Sequence, residues 1–175
     1  MTRRRRRCRG LQLGLAGMGV ALAATGCGAF EADDDEPSVG RSATVTVTRV
    51  VDGDTVEVSL DGMTEDVRYI GVDTPETVAP GEPVDCFGPQ ASEYNEGLVE
   101  GERVKLVFGV EERDVYGRLL AYVYLDGDFV NAKLVRLGFA RTLTIAPNDR
   151  SAPLLRRLER RAGLQGRGLW GACVP

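Results

Sequence analysis

The chain has 175 residues, 43% of them hydrophobic, with 22 basic against 26 acidic side chains and a formal net charge of −4. That profile suits a soluble protein with room for one core. It holds no histidine, which removes Ser-His-Asp hydrolysis, Cys-His proteolysis, H-E-x-x-H zinc sites and any nuclease built on a histidine base. Carboxylates, arginines, hydroxyls or an oxygen-ligated hard cation are left to carry any chemistry. The four cysteines, at 8, 27, 86 and 173, form no C-x-x-C pair, so a structural zinc is not expected.

Residues 3–7 and Arg9 are arginines, residues 11–24 are apolar or small apart from Gln12, and the run ends Ala24-Thr25-Gly26-Cys27. This is the pattern of a secretion signal over residues 1–26, and its apolar run is shorter than the roughly 20 residues that span a bilayer. Small residues before Cys27 resemble a lipobox, in which that cysteine is lipidated and becomes the new N-terminus. The run of arginines also resembles a twin-arginine signal, so the export route stays open. Without the leader the chain would carry 16 basic and 26 acidic residues, a net charge of −10. Residues 27–42, with Glu31, Asp33, Asp34, Asp35 and Glu36 ahead of Pro37 and Gly40, have the composition of a solvated, lipid-anchored acidic tether. The expected location is the outer face of the cell membrane, held by lipid on Cys27, or the medium if the lipid is absent. No obligate protein partner is expected. In an oxidising compartment Cys86 and Cys173 are expected to pair as a disulfide.

Residues 43–175 form the expected folded domain. Alternating Thr and Val over 44–51 and alternating valines over 55–60 predict strands. Asp61-Gly62 supplies a two-residue hairpin turn that lays 63–68 back beside 55–60. Arg68 thereby returns to the end where Asp54 begins, and Asp73 and Glu76 follow at that same end. Residues 78–88 read as a loop and 89–99 as a helix. Strands are predicted over 103–108 and 119–125, separated by a polar loop at 113–118, with Asp126-Gly127 as a further turn. Residues 130–137 read as a helix stopped by Gly138, and 154–164 as a last helix capped by Ser151. The order implies an α+β fold, a five-stranded OB-type barrel with about three helices packed outside it.

Three motifs, Val51-Asp52-Gly53-Asp54-Thr55, then Arg68-Tyr69-Ile70-Gly71-Val72-Asp73-Thr74-Pro75-Glu76, then Asp114-Val115-Tyr116-Gly117-Arg118, closely resemble those of the staphylococcal nuclease (thermonuclease) family. Phe87-Gly88-Pro89-Gln90-Ala91-Ser92 and Val130-Asn131 resemble its helices, and the likeness covers about residues 44–171. The resemblance implies a Ca²⁺-dependent phosphodiesterase acting on DNA and/or RNA and leaving 3′-phosphate and 5′-hydroxyl ends. It implies Asp54 and Asp73 as carboxylate ligands of the ion, Thr74 as a ligand through its carbonyl, and Asp52 just behind them.

Hard oxygen donors suit calcium. Arg68 and Arg118 would stabilise charge developing on the phosphoryl oxygens, since guanidinium forks are always charged and bond bidentately. Glu76 would orient or deprotonate the attacking water. Tyr116 resembles the family tyrosine that contacts a substrate phosphate, and a core position is its competing assignment. The competing function is a non-catalytic module on the same fold that binds nucleic acid or protein.

The chain departs from the family pattern at two places. The best-known member places two tyrosines on the nucleotide after the helix matching 130–137, whereas this chain reads Arg141-Thr142-Leu143-Thr144-Ile145-Ala146-Pro147. The lysine-rich loop of that member has no counterpart in residues 78–88. Stacking and phosphate attraction are therefore expected to be weaker or differently arranged. Arg156, Arg157, Arg160, Arg161 and Arg167 form a basic cluster on and after the last helix. It is read as a solvated face, with a distal phosphate or a membrane surface as the other readings.

Overall fold

The structure is a computed structural model and describes residues 40–77 and 84–173. The expected leader, the expected lipidation site at Cys27 and the expected tether as far as residue 39 lie outside the described residues, as do residues 78–83 of the predicted loop. Strand β1 (Ser42–Val50) shows the predicted alternation: Val45 and Val47 are buried, while Thr44, Thr46 and Thr48 are exposed. Strands β2 (Thr55–Leu60) and β3 (Met63–Tyr69) pair antiparallel with Leu60 opposite Met63. The turn residues Asp61 and Gly62 both take positive φ, 53° and 80°, the backbone twist that favours tight hairpins.

Helix α1 (Gly88–Val99) leads to β5 (Arg103–Arg113) and β6 (Leu119–Leu125). Strand β1 pairs with β5, β5 pairs with β6, and β3 runs parallel to β6 with Val67 opposite Leu119 and Arg68 opposite Leu120. That last pairing closes five strands into a barrel, which leaves no open edge between them. The expected α+β OB-type fold is therefore the fold observed. Its interior is largely valine and leucine: Val47, Val56, Val58, Val67, Leu106, Leu119 and Val123 have 0–1% of their surface exposed. Each such burial is worth roughly 1.5–3 kcal/mol.

Helix α2 (Val130–Leu137) ends at Gly138, whose φ of 82° suits a left-handed stop. Helix α3 (Ala152–Leu164) and the short α4 (Leu169–Ala172) follow. Asn131 of α2 is fully buried and staples the helix to the barrel, its amide donating to the Ile70 carbonyl and its oxygen accepting from the Val123 amide.

Several elements differ from their predicted bounds. Strand β5 runs to Arg113 because an irregularity between Phe108 and Arg113 lets it stay paired past the predicted end. Helix α3 begins at Ala152, and Ser151, already at φ −85° and ψ −1°, makes no side-chain cap bond. Two short strands were not foreseen, β4 (Val72–Asp73) and β8 (Arg141–Thr142), which pair with Asp73 opposite Arg141. Strand β7 (Asp128–Phe129) extends the sheet beside β6. Cys86 and Cys173 form the expected disulfide, with Cα atoms 5.9 Å apart, joining the approach to α1 to the residue after α4.

Candidate functional site

The turn from β1 to β2 is closed by its own backbone: the Val51 and Asp52 amides both donate to the Thr55 carbonyl. Asp52 adds a side-chain bond, accepting from the Asp54 amide at 2.9 Å, as short acids do in turns. Gly53 has no room for a side chain, since a Cβ there would lie 2.7 Å from Thr74. This close approach brings the Thr74 amide to the Asp54 carboxylate at 2.7 Å. The two motifs, 20 residues apart in sequence, thus meet through one missing Cβ.

Arg68 stands opposite Thr55 in the β2–β3 ladder, and its guanidinium occupies the space between the acids. It lies 2.7 Å from Asp54 Oδ2, donates to Asp73 Oδ1 at 3.0 Å and to the Val72 carbonyl at 2.9 Å. Only 15% of its side chain is exposed. Asp54 is buried, and that burial pushes its carboxyl up to about 7, against the pull of Arg68 and with a further push from Asp52. One guanidinium shared between two acids does not fully offset the cost of a buried carboxylate.

Asp54, buried and sharing one guanidinium with Asp73, is a place where a further positive charge would be favourable. Asp54, Asp73 and the Thr74 carbonyl offer oxygen donors of the kind a hard divalent ion takes, and added positive charge would relieve Asp54. Among the described residues no group of three acidic or other metal-binding side chains occurs. A set built on these two carboxylates therefore needs the backbone carbonyl and oxygens from outside the protein, and within that requirement the residues fit.

The opposite arm comes from the loop between β5 and β6. Asp114 accepts from the amides of Tyr116 and Arg118 at 2.9 and 3.0 Å and from Arg118 Nε at 2.7 Å. Desolvation works against the charged Asp114, yet these bonds hold its carboxyl below the usual range. The Arg118 guanidinium sits 5.5 Å from the Tyr116 ring centroid. Tyr116 is 81% exposed, which removes the core assignment and leaves the ring at the surface beside Arg118.

Arg68, Tyr116 and Arg118 line one cavity of about 300 Å³, together with Gly71, Val72, Leu143, Ile145 and Asn148. Leu143 and Ile145 are both exposed to solvent on its rim. The cavity thus pairs two guanidinium forks with an apolar wall, a combination that can hold a phosphate group carrying an organic substituent.

Glu76, two residues after Thr74, is not among the residues that line this cavity. Its amide donates to Asp85 at 3.1 Å, its carbonyl accepts from the Asp85 amide at 2.9 Å, and its carboxylate accepts from the Thr77 amide. Asp85 precedes the disulfide at Cys86, so the link to Cys173 braces the segment carrying Glu76.

Two supporting residues escaped the sequence reading. Asn95 of α1 is fully buried, donates to the Asp52 carbonyl at 3.2 Å and accepts from the Tyr69 hydroxyl at 3.3 Å, anchoring the Asp52–Asp54 turn from behind. Glu159 of α3 accepts from the amide and hydroxyl of Thr142, fixing β8 next to β4. A polar residue on a helix face carries no sequence signal of such a contact. Asp114 opens the third motif, and its place four residues before Arg118 is the spacing that this loop turns into an ion pair.

Residues 66–172 match the family described as Staphylococcal nuclease homologue. The chain is 41% identical over 130 residues to the thermonuclease of Staphylococcus intermedius, covering 74% of this chain and 77% of that protein. It is 39% identical to the thermonuclease of Staphylococcus hyicus over 127 residues, or 73% of this chain and 75% of that one. It is also 41% identical over 128 residues to endonuclease YncB of Bacillus subtilis, spanning 72% of this chain and 61% of that protein.

Proposed function

Because the chain belongs to the staphylococcal nuclease family, we propose that it is a calcium-dependent nuclease that hydrolyses phosphodiester bonds of DNA and/or RNA. The observation that carries this reading is the meeting of Arg68 and Arg118 on one cavity, with Asp54 and Asp73 held directly behind Arg68. Similarity to proteins named thermonuclease and endonuclease supports it.

Arg68 and Arg118 bind the phosphodiester from two sides and gain strength as negative charge builds on its free oxygens, the condition for lowering a barrier. Glu76 orients the attacking water or takes its proton. The new P–O bond forms as the bond to the 5′ oxygen breaks, and that oxygen leaves with a proton as a hydroxyl while the phosphate stays on the 3′ side. Asp54, Asp73 and the Thr74 carbonyl would hold Ca²⁺, which when bound supplies Lewis-acid polarisation of the phosphate. Asp52 keeps Asp54 in place through its bond to the Asp54 amide. Tyr116 offers its ring and hydroxyl to the substrate at the open rim.

Residues 1–26 act in this reading as an export signal, Cys27 as the lipid attachment point, and residues 27–42 as a tether holding the 43–175 domain at the outer face of the membrane. Incubation of the full chain with plasmid DNA and with RNA, in Ca²⁺ and in chelator, tests the enzymatic part. Cleavage confined to Ca²⁺, with phosphate on the 3′ ends, is the expected result. Equal cleavage in chelator would remove the calcium assignment, and no cleavage in either condition would remove the enzyme. Metabolic labelling with a radioactive fatty acid tests the anchor: label on the wild type and none on Cys27→Ser is expected.

A further inference from the structure

The charges of the folded domain are sorted by region. Residues 40–129 carry seven basic and nineteen acidic side chains, whereas residues 130–175 carry nine basic and only two acidic ones, Asp149 and Glu159. The barrel arginines Arg41, Arg49, Arg68, Arg113 and Arg118 each engage a carboxylate. On α3 the pattern reverses. Arg156, Arg157, Arg160 and Arg161 are exposed, and among the described residues none of them forms an ion pair. The one acid on the helix, Glu159, is spent on Thr142.

Arg156 and Arg160, and likewise Arg157 and Arg161, sit one turn apart, the spacing at which like charges weaken a helix. The outer face of α3 therefore concentrates uncompensated positive charge on a domain whose remaining surface is acidic.

This face is joined to the cavity. Gly71, between Arg68 and Asp73, lacks a side chain where a Cβ would lie 2.6 Å from Leu155, so α3 is packed directly on the turn that carries the site. Arg156, the next residue, donates to the Thr144 hydroxyl at 3.1 Å, between the cavity residues Leu143 and Ile145. Arg141, opposite Asp73 in the β4–β8 pair, lies over the Trp170 ring at 4.4 Å. Guanidinium groups thus continue from the cavity through Arg141 and Arg156 and along α3.

We propose that the outer face of α3, led by Arg156, Arg157, Arg160 and Arg161, is an extended phosphate track that holds the backbone of a nucleic-acid strand beyond the nucleotides in the cavity. The proposal rests on the nuclease reading and adds the substrate class, a strand longer than a dinucleotide. A strand is favoured over a membrane because the track starts at the cavity. Leu164 is the one large apolar side chain strongly exposed on α3, too little for the apolar face of an interfacial helix. A local track also answers the problem posed by an acidic domain that must bind a polyanion.

The test is binding of a labelled single-stranded DNA of about 20 nucleotides, longer than the roughly 4–16 covered by one such barrel. Binding is measured in chelator, where calcium-dependent cleavage does not interfere, over a series of salt concentrations. The full chain is compared with a variant carrying Arg156→Gln, Arg157→Gln, Arg160→Gln and Arg161→Gln, and with the matching four-lysine variant. Loss of affinity by at least about tenfold in the glutamine variant is expected, with a salt slope shallower by roughly 2–3 and both restored by lysine.

Cleavage of a thymidine dinucleotide in Ca²⁺ should be unchanged in all three proteins, which also reports on folding. Equal DNA binding by wild type and glutamine variant overturns the track. So does a glutamine variant that binds DNA normally but loses binding to phosphatidylglycerol vesicles, which would make the face a membrane surface. Absence of dinucleotide and plasmid cleavage by the wild type would instead defeat the nuclease reading while leaving the binding comparison readable.

Discussion

The two arms of the cavity present one arginine each, and they hold it differently. Arg68 is 15% exposed and bound at once to Asp54, Asp73 and the Val72 carbonyl, whereas Arg118 is 32% exposed, bound to Asp114 and resting beside Tyr116 at the surface. On the first arm the proposed catalytic charge is also part of the scaffold, because a buried carboxylate depends on it. On the second arm Asp114 also accepts from two backbone amides, so the loop does not depend on the guanidinium alone. A substitution on the first arm should therefore change stability and rate together, and one on the second arm should change rate far more than stability.

The largest effect is expected from Arg68→Ala. Removing the partner of the buried Asp54 should cost about 3–5 kcal/mol in urea unfolding, and the rate of DNA cleavage should fall on the order of 10² or more. A variant that keeps wild-type stability would erase the difference between the arms.

Next comes the paired change Cys86→Ser and Cys173→Ser. Opening a link between residues 87 apart should lower stability by roughly 2–5 kcal/mol. It should also release the braced segment holding Glu76, reducing cleavage more than dinucleotide binding. Wild-type kinetics in the folded variant would show that the brace serves stability only.

The smallest effect concerns exposed ion pairs away from both arms. Glu57, Glu65 and Glu112 are held below the usual carboxylate range by side-chain bonds from Arg49, Arg113 and Arg41. A depressed carboxyl stabilises the fold above its unfolded pKa, and that contribution is lost as the pH falls through its folded value. The unfolding midpoint should thus fall as the pH drops below about 4.3. Glu57→Gln, Glu65→Gln and Glu112→Gln together should flatten that fall slightly, without changing cleavage at neutral pH.

The barrel was legible where a pattern repeats. The Thr-Val alternation of β1, the Asp61-Gly62 turn and the consequent return of Arg68 toward Asp54 follow from period and turn chemistry alone, and the structure has each of them. What escaped depends on contacts that no period encodes. Strands β4 and β8 have two residues each, too few to alternate, and exist because Glu159 and the β4–β8 bonds hold them. Helix α4 is four residues long and depends on its packing after Gly168. Asn95 and Asn131 read as ordinary polar helix residues, yet each is buried because it satisfies backbone groups across the barrel. At the site, the acids and arginines were legible as types in motifs. The sharing of Arg68 between Asp54 and Asp73 was not, since it depends on how closely Gly53 lets Thr74 approach.

The most direct measurement is the steady-state cleavage rate of Arg118→Ala on DNA in Ca²⁺, with its unfolding midpoint recorded beside the wild type. The structure predicts a loss in kcat on the order of 10² or more with a midpoint that falls much less than that of Arg68→Ala. A rate within a few-fold of wild type would contradict the claim that guanidinium groups from two arms act on one phosphate.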